Sequence, residues 1–169
     1  MAVIPVSVRR FVPGHAADVL ALARSLGDWF NDEGLRQMET DLRNHAGHVA
    51  LLGSRLVGFE TWNPVDGRVA NLSWMGVAKD VQRAGIGRTL VEAIVPDLRS
   101  AGFRFLEVST VADSVDYRPY ERTRAFYRAI GFADERVDRG FFQDPDGPYD
   151  RLLLRLDLAR PNPGRSPEA

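Results

Sequence analysis

Residues 69–101 read Val69-Ala-Asn-Leu72-Ser-Trp-Met75-Gly76-Val77-Ala-Lys79-Asp80-Val-Gln82-Arg83-Ala84-Gly85-Ile86-Gly87-Arg88-Thr-Leu90-Val91-Glu-Ala-Ile94-Val95-Pro-Asp-Leu98-Arg-Ser-Ala101. Val69, Leu72, Met75 and Val77 make an apolar strand that stops at the polar pair Lys79-Asp80. Gln82 to Gly87 forms a tight, glycine-containing turn. Leu90, Val91, Ile94, Val95 and Leu98 recur at helical spacing, so a helix with one apolar face follows, and Gly102 ends it. The backbone of this strand–loop–helix unit carries its chemistry. Amides in the first helical turn have no intrahelical partner, and the aligned peptide dipoles make that end partly positive. Gly85 and Gly87 lack Cβ atoms and admit a ligand close to the main chain. Arg83 and Arg88 add positive charge. The product is a pocket for phosphate, best matched by a pyrophosphate.

Two nucleotide patterns fit poorly. A P-loop closes on Gly-Lys-Ser/Thr, whereas Gly87 is followed by Arg88-Thr89 and the earlier glycine is missing. The dinucleotide fingerprint needs a third glycine, and Leu90 holds that place.

Composition narrows the class. A chain of 169 residues, 44% hydrophobic and 27% charged, is expected to form one soluble domain over residues 1–159. A net charge of −1 does not favour bulk binding of nucleic acid or membrane. Without cysteine there is no disulfide, thiolate nucleophile or cysteine metal site. No apolar run reaches the ~20 residues of a spanning helix, and the N-terminus lacks a signal-peptide order. A cytoplasmic protein is the expectation. His15, His45 and His48 show no ligand spacing, so no metal is expected.

Taken in order, Ile4, Val6, Val8 and Phe11 predict a first strand, and Ala16 to Leu26 a helix with Val19, Leu20, Leu22, Ala23 and Leu26 inward. Asp28-Trp29-Phe30-Asn31-Asp32-Glu33 is read as a connection. Its aromatic residues either plug the core or, with the acids, wall a pocket for a cationic amine. Residues 35–44 predict a short second helix. His48–Leu52 and Leu56–Trp62 flank Gly53-Ser54, a hairpin signal. Glu60 and Trp62 then share a strand face. Phe103 to Thr110 predicts a strand joined to the preceding one through a helix, hence parallel to it. Residues 122–130 predict a helix closed by Gly131, and Phe132 begins the next strand. Residues 143–148 are read as a turn-rich acidic loop, 151–156 as the last strand, and 160–169 as a disordered tail.

Gln82-x-x-Gly85-x-Gly87 behind a strand resembles the acyl-CoA loop of the GNAT family of N-acetyltransferases. A second match lies further on, at that family's order and distance. Thr123-Arg124-Ala125-Phe126-Tyr127-Arg128-Ala129-Ile130-Gly131-Phe132 resembles its Ala/Thr-x-x-Phe-Tyr-x-x-x-Gly-Phe helix and strand start. With the strand order, the resemblance covers nearly the whole chain. It implies an α/β (α+β) fold. The sheet would be mixed, mostly antiparallel and six- to seven-stranded, with about four helices and a splay between strands 4 and 5. Acetyl-CoA is the implied cosubstrate. Its pantetheine arm would pair with the backbone of Met75, Gly76 and Val77. Its pyrophosphate would sit on Gln82, Arg83, Ala84, Gly85, Ile86, Gly87 and Arg88. Tyr120 stands where many members carry an asparagine that touches the pantetheine, and Arg83 stands where glycine is common. Tyr120 and Phe126 complete the implied cofactor contacts.

The implied reaction is direct transfer of an acetyl group to a primary amine of a small molecule or peptide. The amine attacks the thioester, an oxyanion develops, and the leaving thiolate takes a proton. The resemblance assigns that donor to Tyr127, whose alternative is packing beside Phe126. For the base, Glu60 and Glu107 are candidates by position on central strands, and solvation or pairing to one of many arginines is the alternative for each. Trp29, Phe30 and Trp62 are the candidate acceptor contacts. A homodimer is compatible with the sequence. The competing class is a non-catalytic acyl-CoA-binding regulatory module of the same fold.

Overall fold

The computed structural model describes residues 5–161. Two compact units are distinguished, one formed up to Asn63 and by Leu72–Ala101, the other by Pro64–Asn71 and from Gly102 onward. In chain order the elements are β1 (Val6–Arg10), α1 (Ala16–Ser25), α2 (Asp32–Asp41), β2 (Ala46–Leu52), β3 (Arg55–Pro64), β4 (Val69–Val77), α3 (Ile86–Ser100), β5 (Phe105–Val111), α4 (Arg118–Ala129), β6 (Ala133–Asp144) and β7 (Gly147–Asp157). The strands follow the order β1-β2-β3-β4-β5-β7-β6 in a seven-stranded sheet. With four helices and a parallel β4–β5 pair, this is the mixed α/β architecture expected. The boundary between the units falls inside β4, between Asn71 and Leu72.

In the first unit, β1 pairs antiparallel with β2, and β2 with β3. Gly53, at φ +62°, opens the two-residue turn between β2 and β3, the conformation such a turn needs and glycine adopts without strain. The register then shifts. Leu51 faces Leu56, but Ala50 faces Gly58, so Val57 is an extra, bulged residue. The bulge decides which side chains meet beyond it. Helices cover both sides of these strands. On one side Phe59 packs toward Phe30, with ring centroids 6.4 Å apart. There Gly76 is required by packing, because a Cβ would lie 2.8 Å from Phe59 and 2.9 Å from Leu26. On the other side α3 sits so close that a Cβ on Gly58 would stand 3.1 Å from Leu90 and 3.2 Å from Ile86. Val19, Leu26, Met38, Val49, Phe59 and Leu90 belong to the resulting core.

The second unit holds β5, α4 and the β6–β7 hairpin. β7 lies between β5 and β6, antiparallel to both. Pro119 occupies the first turn of α4, where its missing N–H costs no hydrogen bond.

Two expectations are corrected. The second helix begins at Asp32, three residues before the expected start, because Asn31 caps it and its side chain accepts from the Gly34 amide at 2.8 Å. Asp32 and Glu33 are therefore first-turn acids matched to the helix dipole. The acidic stretch 143–148 is mostly strand, since β6 runs to Asp144 and β7 starts at Gly147. β6 is largely exposed and lacks an apolar alternation. Pairing with β7 holds it, reinforced by Arg151 bonded to Asp138 and stacked 3.6 Å from the Phe141 ring. The reading of a disordered tail concerns residues that lie, from 162 on, outside those described.

Candidate active site

The start of α3 has the geometry that phosphate binding asks for. Gly85 is the N-cap, at φ +81°, with nothing within 4 Å of a Cβ placed on it. Its requirement is thus conformational, and the space before the helix is open. Residues 82–85 are exposed, while Gly87 and Arg88 are half-buried. Arg83 is the non-glycine residue held at positive φ (+67°) among those described, which explains why glycine suits that position. The Gln82 amide group donates to the Val77 carbonyl at 2.9 Å and ties the loop to the end of β4. Upstream on β4, Met75 and Val77 are half-buried. An anionic group fits here: amides with no intrahelical partner, a helix dipole, two guanidinium groups and open space.

In the second unit the buried residues of α4 are Arg124 and Tyr127. Tyr127 packs edge-on against Phe126 and Phe132, with centroids at 5.2 and 5.4 Å. A phenol already carries its proton at neutral pH, and burial pushes that of Tyr127 further above the ordinary tyrosine range. Arg124 donates to the Val111 carbonyl at 2.9 Å and pairs with Asp113 at 3.0 Å. It fastens the helix bearing Tyr127 to the end of β5. Sequence reasoning passed over Arg124, although its spacing from Tyr127 places it on the same helix face. Tyr120 stacks near Tyr117, and burial also raises its phenol.

The two carboxylates proposed as bases stand in different settings. Glu107 receives two hydrogen bonds from Arg155 on one oxygen, at 3.1 and 2.5 Å. Glu60 has no exposed surface. Its Oε1 is bonded to Nδ1 of His48, directly opposite across the β2–β3 pair. The His48 Nε2 faces Asp97 of α3 at 3.4 Å, and Asp97 is bonded by Arg10 at 2.9 Å. Oε2 of Glu60 is buried without a hydrogen-bond partner. Burial pushes the Glu60 carboxyl up to about 7, against the lowering influence of His48. His48 and Asp97 carried no sequence signal. Across a plain two-residue hairpin His48 would face Phe59, and only the bulge at Val57 sets it against Glu60.

The aromatic candidates also separate. Trp29 and Phe30 pack on the core of the first unit. Trp62 lines an open cleft of about 530 Å³ with Arg10, Phe11, Gly47 and Asp97. On α2's side of β3 and β4, Asp41, His45, Thr61 and Ser73 converge through side-chain contacts that sequence reasoning also missed.

A glycine-capped, exposed helix start behind a strand of a mixed seven-stranded sheet defines an α/β protein equipped for a phosphate-bearing ligand. A family model described as an acetyltransferase (GNAT) domain matches residues 43–134, and the chain belongs to that family. The [ribosomal protein bS18]-alanine N-acetyltransferase of Escherichia coli (strain K12) is 27% identical over 90 residues, 53% of this chain. The match spans 57% of that relative, little more than half its length. Among solved structures, a GNAT-family chain from Desulfovibrio desulfuricans subsp. has a TM-score of 0.79 at 27% identity, over 92% of this chain and all of that one. A GNAT acetyltransferase from Elizabethkingia anophelis with acetyl-CoA bound shares the fold, with a TM-score of 0.69 at 17% identity, over 90% of this chain and 97% of that one.

Proposed function

We propose that the protein transfers the acetyl group of acetyl-CoA directly to a primary amine, acting in the cytoplasm as one domain over residues 1–159. The observation that carries this reading is the open, glycine-capped start of α3. The amides of residues 82–88, with Arg83 and Arg88, hold the pyrophosphate. The backbone of Met75, Gly76 and Val77 pairs with the pantetheine arm, and Tyr120 and Phe126 complete its contacts. A peptide amine is the favoured acceptor class, because the Escherichia coli relative acts on an alanine of a ribosomal protein. Tyr127, a phenol protonated at neutral pH, donates to the leaving thiolate. Glu60, sealed from solvent, does not meet the amine directly.

The test is release of CoA thiol on incubation with acetyl-CoA and a short peptide starting with alanine. The chain has no cysteine, so the thiol signal belongs to CoA alone. Tyr127→Phe keeps the ring packing and removes the donor, so kcat should fall within the ~10²–10⁴-fold range of one general acid, with acetyl-CoA affinity unchanged. Binding of acetyl-CoA by calorimetry, with no thiol released by any of a panel of amines, would instead establish a non-catalytic acyl-CoA module.

A further inference from the structure

We infer that Asp41, His45 and Ser73 form the proton relay that deprotonates the acceptor amine. This rests on the proposed acetyltransferase function. Nδ1 of His45 lies 2.9 Å from the Ser73 hydroxyl, and Nε2 lies 3.9 Å from Asp41 Oδ1. Neither end is loose. Asp41 accepts from Trp74 Nε1 at 2.8 Å on one oxygen and from Gln37 at 2.9 Å on the other. The buried Thr61 hydroxyl holds Ser73 from the far side at 2.8 Å. The His45 and Asp41 side chains are 15% and 19% exposed. They are shielded enough to be ordered and open enough to return a proton to water. Glu60, with no exposed surface, lacks the second property.

Position on β4 links the array to the reaction. Phosphates at residues 82–88 and a pantetheine arm along Val77 and Met75 direct the thioester back along β4, toward Ser73. Four residues of strand from Val77 span about 13 Å.

The chemistry balances. An acceptor ammonium gives one proton to Ser73 Oγ as the serine's own proton passes to Nδ1 of His45. Asp41 faces the resulting imidazolium across its Nε2–H, and the imidazolium returns the proton to water. The neutral nitrogen then forms the C–N bond, the C–S bond breaks, and the second nitrogen proton ends on the thiol sulfur through the general acid. An imidazole suits the task because one ring nitrogen can take a proton while the other faces a carboxylate. Asp41 on α2, Thr61 on β3 and Ser73 on β4 are the polar groups bonded or paired within this cluster around it.

The test uses Ser73→Ala, His45→Gln and Asp41→Asn with the alanine-starting peptide as acceptor. At about pH 7 each of the first two should lower kcat on the order of 10²-fold. The deficit should shrink toward about pH 9, because an α-amino group loses its own proton near ~8. The Ser73→Ala, His45→Gln double variant should lose no more than either single one, as expected of residues acting in one relay. Calorimetric affinity of the peptide for the protein–CoA complex should not change. A purely structural role gives a deficit that is the same at every pH, and that result overturns the relay. So does normal kcat in Ser73→Ala and Asp41→Asn, which keep the inference testable should His45→Gln fail to fold. Absence of wild-type turnover with any amine overturns the acetyltransferase reading, and the relay with it. Wild-type turnover with unaffected variants overturns the relay alone.

Discussion

Glu60 is a carboxyl group with no exposed surface, one oxygen on His48 and the other without a partner. Such burial disfavours the charged form, and its proton is held up to about 7. The consequence for stability has a definite sign. Below about pH 4.5 the group is protonated in folded and unfolded chains alike, and its folded-state preference for the proton is fully expressed. As pH rises toward 7 the unfolded chain has already released that proton, and the stabilising contribution is lost. With the carboxyl held up to about 7, the loss is on the order of 3 kcal/mol. Glu60→Gln removes the titration and keeps a hydrogen-bonding group for His48. Its stability relative to the wild type should therefore improve between about pH 5 and about pH 8. Guanidinium unfolding of both proteins across that range checks it; a constant difference would mean that Glu60 does not change charge there. Arg83 is the other residue set against its own preference, since a side chain at φ +67° is strained. The guanidinium it presents beside the helix start is what the position gains.

At the scale of elements, local signals and their failures have separate causes. α2 begins at Asp32 because Asn31 supplies the cap and two acids follow it. That pattern is written in consecutive residues, and it was hidden by the aromatic pair before it. Asn31→Ala leaves the Gly34 amide without its side-chain acceptor and should cost about 1 kcal/mol, measured as a fall in the denaturation midpoint. The same change in Asn31→Asp should be small, because aspartate caps as well. β6 was expected to begin at Phe132, but its run on to Asp144 was not legible, for the opposite reason. Its residues alternate weakly, and the strand exists through partners on β7 such as Arg151 and Leu152. α4 shows a third case. Its buried face consists of Arg124 and Tyr127, and a buried guanidinium is tolerated there because two carbonyls and Asp113 receive it.

For the molecule as a whole, the proposed ligand should act as a stabiliser. A compound bound only by the folded state adds RT ln(1 + [L]/Kd), about 2.7 kcal/mol at a hundredfold excess over Kd. In a chain of this size that corresponds to a rise in Tm of roughly 5–11 °C. Acetyl-CoA should produce it. Acetyl-pantetheine, which lacks the pyrophosphate, should produce much less at the same concentration. Gly87→Val places a branched side chain in the first turn of α3 and should abolish the acetyl-CoA shift while the unliganded Tm stays close to wild type. An undiminished shift in that variant would remove the pyrophosphate from the α3 loop.

Apolar spacing, turn residues and the two glycine-bearing motifs were sufficient to identify the strands β1 to β5, the start of β6, β7 from Arg151 onward, the helices α1, α3 and α4, and the family. These features are set by residues a few positions apart, through the strand period of two and the helix period of 3.6. The phosphate loop is equally local, since Gly85 is needed where it stands whatever the rest of the chain does. Which side chains meet across the sheet was decided only by the tertiary structure. A single extra residue at Val57 turns His48 from Phe59 to Glu60, and α3 then brings Asp97 up to complete the array. His45 and Ser73 lie 28 residues apart and touch because α2's end and β4 are packed together. A one-residue change of register moves every later side chain to the opposite face, so contacts of this kind are a property of the assembled sheet and leave no mark on any one stretch of the chain.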